Sequence, residues 1–278
     1  MMPTPTQRAD SIRERYRTSP DLPIVWSYGG GTQTAAIAVL VLQGRLPRPD
    51  HIIMADTGRE ATATWDYLDT VVQPALEAEG MRVEVAPHSL ASKDLWDNDG
   101  KPMMPVYTAG GDGESIGRMR NFCSGEWKRD VVERFLRSLG YGPKNPAQQW
   151  LGFSTDEIQR LKRDHRPWLL LRYPLCFDVP TSRHECTRLV VAHGWPEPPK
   201  SSCWMCPHRS NRQWRDLRDN WPADFAAACA LDDEIRLRDA DAFVHHSGVP
   251  LRLADLGTAE AAGLFSAAES CDSGYCFV

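Results

Sequence analysis

The sequence predicts an α/β protein, a doubly wound and mostly parallel sheet with a helical, cysteine-rich C-terminal cap. Three observations lead there. Short apolar runs at 22–26, 51–55, 149–153 and 168–174 alternate with longer helical patterns, the signature of strands joined by crossover helices. Gly29, Gly30 and Gly31 follow the first run at once and lead directly into an apolar helix. Past residue 176 the strand-like runs stop, helical patterns with short polar loops take over, and cysteines recur. The expected layout is a lead-in helix at 1–20, an α/β domain at 21–176, and a cap and tail at 177–278.

The bulk numbers narrow the function classes. A 278-residue chain with 42% hydrophobic residues has ample material for one large domain or a core with an appendage. Its net charge of −5 argues against broad, non-specific coating of nucleic acid. The first residues, Met-Met-Pro-Thr-Pro-Thr-Gln-Arg, carry no apolar signal-like run, and Ala35 to Leu42 is too short to span a bilayer. A cytoplasmic protein with no membrane partner is expected. In that compartment the eight cysteines (Cys123, Cys176, Cys186, Cys203, Cys206, Cys229, Cys271 and Cys276) point to metal or redox chemistry rather than to a disulfide frame.

In chain order, residues 7–18 read as an exposed, charged helix. Leu22 to Trp26 is a buried strand. Ser27, Tyr28 and the three glycines form a turn, and Thr32, Gln33 and Thr34 open a helix ending near Gly44. Free backbone N–H groups at such a helix start make a phosphate site. Neither G-x-x-x-x-G-K-[ST] nor G-x-G-x-x-G is present. A second strand ends in Asp56-Thr57-Gly58, again at the carboxyl end where ligands of open sheets bind. Asp56 reads equally as a helix cap or turn residue. Met81 to Val85 is a third strand. The Gly-, Asp- and Pro-rich stretch 97–117 reads as a mobile lid or a floppy insertion. Arg118, Arg120, Lys128 and Arg129 surround Cys123 within twelve residues, a setting for a phosphate or sulfate and for an acidified thiol, or simply a charged surface. A fourth strand then meets Gly152, Ser154, Asp156, Glu157 and Arg160, with Glu157 and Arg160 spaced to pair on one helical turn.

The sharpest motif of the cap is Cys203-Trp-Met-Cys206-Pro207. Two thiolates at this spacing hold one metal from a tight turn, and a closed site needs about two more ligands. Cys186, seventeen residues earlier, and Cys123 are the candidates, giving a four-thiolate set of Cys123, Cys186, Cys203 and Cys206. Iron–sulfur clusters and zinc both accept it, and a reduced C-x-x-C without metal is the alternative. Arg209, Arg212, Arg215 and Arg218, interspersed with Trp214 and Trp221, have the composition of a phosphate-contacting, base-stacking surface, although a three-residue repeat drifts around a helix.

Laid on G-G-x-D-S, the run Gly30-Gly31-Thr32-Gln33-Thr34 resembles the PP-loop of ATP pyrophosphatases and phosphoadenylyl-sulfate (PAPS) reductases. Gln33 stands where that family has aspartate, and Gly29 where it has serine. Asp56-Thr57-Gly58 with Glu60, the Arg-Cys-Lys segment, and Gly152-x-Ser-x-Asp-Glu-x-x-Arg160 are similar to stretches of the same group. So is the run from Arg183, Glu185 and Cys186 through Gly194, Pro198-Pro199-Lys200-Ser201, Cys203, Cys206 and Pro207 to Trp214 and Leu217. The likeness covers roughly residues 22–225.

The resemblance implies an adenine nucleotide alpha-hydrolase-like fold that binds ATP or another adenine nucleotide, with Mg2+, on Ser27 to Thr34, Asp56, Thr57, Gly58, Arg120, Lys128, Gly152 and Arg160. It favours a [4Fe-4S] cluster over zinc. It implies an enzyme that activates an acceptor, either nucleic acid or a small molecule, by adenylation with pyrophosphate release for sulfur transfer, with Asp56, Cys271 and Cys276 as catalytic residues. An adenylyl-sulfate reductase, whose Glu-Cys-Gly tail setting is not present here, and a non-catalytic nucleotide binder with structural zinc are the alternatives. The oligomeric state is open, a homodimer included.

Overall fold

A computed structural model describes residues 5–110, 116–119 and 123–257. In chain order the elements are α1 (Pro5–Tyr16), β1 (Ile24–Ser27), α2 (Thr32–Leu42), β2 (His51–Ala55), α3 (Thr62–Tyr67), α4 (Gln73–Ala78), β3 (Val83–Ala86), β4 (Tyr107–Ala109), β5 (Ile116–Arg118), α5 (Asp130–Ser138), β6 (Ala147–Trp150), β7 (Leu169–Arg172), α6 (Pro174–Phe177), α7 (Arg183–Ala192), α8 (Asn211–Asn220), α9 (Pro222–Arg238) and β8 (Ala242–Phe243). A π-helical turn, Leu68–Val72, joins α3 to α4. Pro74 lies in the first turn of α4 and has no N–H to give, a local cause for the widened turn.

The chain divides into two compact units. The first comprises Met1–Ala55, Thr64–Pro87 and Val132–Ser201. Its five strands run in the order β3-β2-β1-β6-β7, every pairing parallel. This is the α/β, doubly wound architecture expected. β1 and β2 are short runs rich in β-branched residues, and the central strands β1 and β6 are almost wholly buried. Trp26, Trp150, Ile52 and Met54 from the strands pack with Ile37, Val39 and Leu40 of α2 and with Leu76 of α4. Gln148 fixes the entry to β1, its Nε2 donating to Ser19 O at 2.6 Å and Leu22 O at 2.7 Å. Helix α7, capped by Ser182, lies beyond residue 176 yet belongs to this unit, where Cys186 and Val190 join the α2 core. The lead-in helix is tied in too, with Tyr16 stacked on Phe177 at 5.8 Å.

The second unit comprises Asp56–Ala63, His88–Val131 and Ser202–Val278. Its described part holds a three-stranded antiparallel sheet, β5-β4-β8, and helices α8 and α9 around Trp127, Met205, Trp214, Leu217, Ile235 and Val244. Within the stretch 97–117, expected as a lid or floppy insertion, the described residues include paired strand. Tyr107–Ala109 pairs with both Ile116–Arg118 and Ala242–Phe243, because a Tyr-Thr-Ala run suits a half-buried strand despite the glycines that follow it. Asp232 is buried under this sheet and accepts from Val244 N at 2.7 Å, Leu251 N at 2.9 Å and Arg236 Nε at 3.0 Å. Among the described residues no helix is long and apolar enough to cross a membrane.

Candidate functional site

The glycine turn follows β1, which lies between β2 and β6 in the sheet. Strand order reverses between β1 and β6, the position where open α/β sheets bind ligands. Tyr28 N still bonds Ile53 O at 2.8 Å, so the chain leaves the sheet at Gly29. Gly30 has φ +72°, and a Cβ there would stand 2.3 Å from Thr64 Cγ2. Gly31 caps α2. Thr34 Oγ1 accepts from Gly31 N at 3.1 Å and donates to Gly31 O at 2.9 Å, which holds the first turn shut on itself. The N–H groups of the first helical turn have no intrahelical acceptor, and that turn carries no acidic residue, so it presents positive potential.

The loop after β6 packs on the same turn. A Cβ on Gly152 would lie 3.1 Å from Thr34 Cγ2 and 3.6 Å from Gln33 Cβ. Gln33 Nε2 donates to Glu157 Oε2 at 3.0 Å, and Glu157 Oε1 pairs with Arg160, whose guanidinium lies 4.4 Å from the Phe153 ring centroid. Of the residues expected on the nucleotide, Ser27, Tyr28, Gly29, Gly30, Gly31, Thr32, Gln33, Thr34, Gly152 and Arg160 all fall in this unit. Ser27 Oγ accepts from Gln149 Nε2 at 2.8 Å. The Tyr28 hydroxyl is buried without a partner, and burial raises its pKa.

In the sequence, Lys200 and Ser201 stand in the Pro-Pro-Lys-Ser run, outside the expected nucleotide contacts. Ser201 lies against the turn, its Oγ 3.0 Å from where a Gly31 Cβ would be. Lys200 precedes it, with its Nζ out of contact with water and without a hydrogen-bond partner. Lysine in Pro-Pro-Lys-Ser reads as surface, and only the folded chain reveals the burial.

Asp56, Thr57, Gly58, Lys128, Cys123, Cys203 and Cys206 belong to the second unit. Asp56 closes a turn, its Oδ1 accepting from Gly58 N at 2.6 Å, where Gly58 has φ +67°. The C-x-x-C turn is zipped onto 59–61. Trp204 N donates to Arg59 O at 3.0 Å, and Ala61 N to Ser202 O at 3.3 Å. Thr57 Oγ1 lies 3.5 Å from Cys203 Sγ. Lys128 Nζ meets Glu60 Oε1 at 2.8 Å, while Glu60 Oε2 is buried without a partner. Arg209 donates to the carbonyl oxygens of Ser202 at 3.3 Å and Cys203 at 3.1 Å.

Electrostatics ties the three thiols together. Burial, with repulsion from a Cys206 thiolate, pushes Cys123 up to about 12 against the pull of Lys128. Burial and then Glu60 push Cys203 higher still. Lys128 loses solvation, but Glu60 and the thiols outweigh this and raise its pKa. The acidified Cys123 expected from its basic neighbours is therefore corrected: desolvation and the nearby thiol win.

Of the expected four-thiolate set, Cys123, Cys203 and Cys206 fall in the second unit and Cys186 in the first. Cys186 is 0% exposed in the apolar core of the first unit, where it acts as a small hydrophobe, and burial pushes its thiol up to about 12. Among the described residues no three His, Cys, Asp or Glu side chains are arranged to hold a metal ion. Arg120, Cys271 and Cys276 lie outside the described residues. The arginine repeat is no shared face either. Arg209 is buried near Trp214, Arg215 bonds Leu256 O at 3.0 Å, and Arg218 pairs with Asp219 at 2.8 Å.

No family model matches the chain, and no curated protein matches it in sequence. Several solved structures are similar. One of them is the U34-tRNA thiolase NcsA from Methanococcus maripaludis with its [4Fe-4S] cluster, with a TM-score of 0.44, 13% identity, and coverage of 84% of this chain and 77% of that one. Likeness at that level assigns neither substrate nor cofactor to this chain.

Proposed function

We propose that the chain binds ATP, with Mg2+, on the turn Ser27 to Thr34 and uses it to activate an acceptor for sulfur transfer. One observation carries this reading: a glycine turn opens helix α2 at the point where strand order reverses. Gly152 and Arg160 complete the nucleotide side, and Asp56, Thr57, Gly58, Arg120 and Lys128 are proposed contacts from the remainder of the chain. In the reaction an acceptor oxygen attacks the α-phosphorus, the bond to the bridging oxygen breaks, and pyrophosphate leaves. Inorganic sulfide, the sulfur donor, then displaces AMP from the activated acceptor. The acceptor class proposed is a nucleic-acid base or backbone, with a small molecule as the other arm of the test.

Cys123, Cys203 and Cys206 have the donor chemistry for zinc or an iron–sulfur cluster, which when bound would anchor sulfur. Their arrangement is not a closed metal site, so no step is routed through one. Cys271 and Cys276 are proposed as further catalytic residues and Asp56 as a group near the nucleotide.

The test is ATP turnover with sulfide and candidate acceptors, scored by pyrophosphate release and sulfur incorporation. Sulfite release from an adenylyl-sulfate would instead mark a reductase. Nucleotide binding with neither turnover would favour a binding protein, a reading that Gln33 supports by placing an amide where the PP-loop has a carboxylate.

A further inference from the structure

We infer that His245, His246 and Asn211 form a binding site for a divalent first-row transition metal, such as nickel, cobalt or zinc, separate from the cysteines. Both imidazoles aim Nε2 at one atom. Asn211 Oδ1 lies 3.0 Å from His245 Nε2 and 2.9 Å from His246 Nε2. The two rings lie side by side, their centroids 4.4 Å apart. Two donors at right angles on a metal with ~2.1 Å bonds stand about 3.0 Å apart. The hydrogen-bond spacing is therefore that of adjacent corners of a coordination sphere, and a metal can take these three donors with small side-chain movements.

Each donor is held by its own segment. Asn211 opens α8, and its Nδ2 donates to Asp255 O at 3.2 Å, which fixes Oδ1 toward the histidines. Val244, just before the pair, donates from its N–H to the buried Asp232 carboxylate at 2.7 Å. Gly248 N donates to His245 O at 3.0 Å and closes the turn that follows. His245 is buried, and its Nδ1 lies 2.7 Å from Ser247 Oγ. That is the outer hydrogen bond a metal-bound imidazole makes with its second nitrogen. His246 is exposed, which gives a metal its way in from solvent.

An amide oxygen only accepts, so before metal binds both Nε2 atoms carry hydrogen. Binding exchanges one tautomer for the other. Nε2 gives its lone pair to the metal and Nδ1 takes the proton, which it donates to Ser247 Oγ in His245 and to water in His246. Imidazole and amide ligands suit borderline cations rather than Mg2+ or Ca2+. Of the fixed charges that act on His245, the Asp232 carboxylate outweighs its partner Arg236, a field that favours a cation. Three protein donors leave the remaining positions of the metal to water.

The experiment titrates Ni2+ by calorimetry and Co2+ by absorption into wild type, His246→Gln and Ser247→Ala. Wild type is expected to bind Ni2+ at micromolar concentrations. His246→Gln, at an exposed position, is expected to leave the protein folded and to weaken Ni2+ by about tenfold or more, and Ser247→Ala to weaken it by about tenfold through the lost outer hydrogen bond. The Co2+ spectrum lost in His246→Gln should show the weak visible bands of nitrogen and oxygen ligands. It should lack the intense near-ultraviolet band of a thiolate ligand, which separates this site from Cys123, Cys203 and Cys206. Equal Ni2+ affinity in wild type and His246→Gln, or a thiolate band in that difference spectrum, would overturn the assignment. So would the absence of Ni2+ binding by wild type up to millimolar metal.

Discussion

Gln33 Nε2 donates to Glu157 Oε2 at 3.0 Å while the other oxygen of Glu157 pairs with Arg160. The first turn of α2 thus presents an amide, and the amide holds a carboxylate brought by the β6 loop. Glu157→Gln removes the carboxylate charge that Gln33 and Arg160 share in a mostly buried setting. The expected loss is about 1–3 kcal/mol in urea unfolding. Gln33→Asp, which sets two carboxylates side by side, is expected to destabilise as well. No change in either variant would mean that the network is ornamental.

Gly30→Ala forces a side chain to φ +72° and against Thr64 Cγ2. Strain and overpacking together are expected to destabilise by about 2–4 kcal/mol. Thr64→Ser removes the opposing methyl, so the double variant should recover part of that loss but keep the φ strain. The coupling read from the double-mutant cycle checks the contact.

The first strand, its turn and α2 were legible in the sequence because an apolar run followed at once by three glycines leaves few alternatives. The five parallel strands were legible for the same reason of pattern. What escaped has a common cause. The helix spacing of Cys186 and Val190 shows that α7 has a buried face but not that the face meets α2. Three residues, Tyr107–Ala109, are too few for a visible alternation, so their pairing looked like loop. Trp214 reads as a stacking surface or as core with equal ease, and the fold buries it.

Glu60 and Lys128 form a buried ion pair, with the Glu60 side chain 1% exposed. Removing Lys128 strands the buried Glu60 carboxylate. Lys128→Met is expected to destabilise by about 3–5 kcal/mol, and Glu60→Leu with Lys128→Met by much less. Urea unfolding of the two single variants and the double variant decides. Additive losses would show that the pair is not the reason for either charge.

His245 is 1% exposed, and burial, followed by repulsion from His246, lowers it to about 4. Both imidazoles contact Asn211 Oδ1 through Nε2, at 3.0 Å and 2.9 Å. The unfolded chain binds this proton near the ordinary value of 6.5 and the folded chain does not. Stability should therefore fall as pH drops from 6.5 toward 4. Melting temperatures across that window should show the slope in wild type and a flatter one in His245→Gln.

Cys186→Ala is expected to leave any bound zinc, iron or acid-labile sulfide unchanged, because Cys186 is core packing, whereas Cys203→Ser should strip it. Metal and sulfide analysis on protein purified without oxygen checks both. Loss of metal in Cys186→Ala with an unaltered melting temperature would restore the four-thiolate set.

The central claim is that the turn from Ser27 to Thr34 binds the phosphates of ATP. Calorimetric titration of ATP with Mg2+ into wild type and into the Gly30→Ala, Thr64→Ser double variant tests it most directly. Saturable binding by wild type at micromolar concentrations, weakened at least tenfold in a double variant that is still folded, is the expected result. Equal affinity in the two proteins, or no binding by wild type up to millimolar ATP, would contradict it.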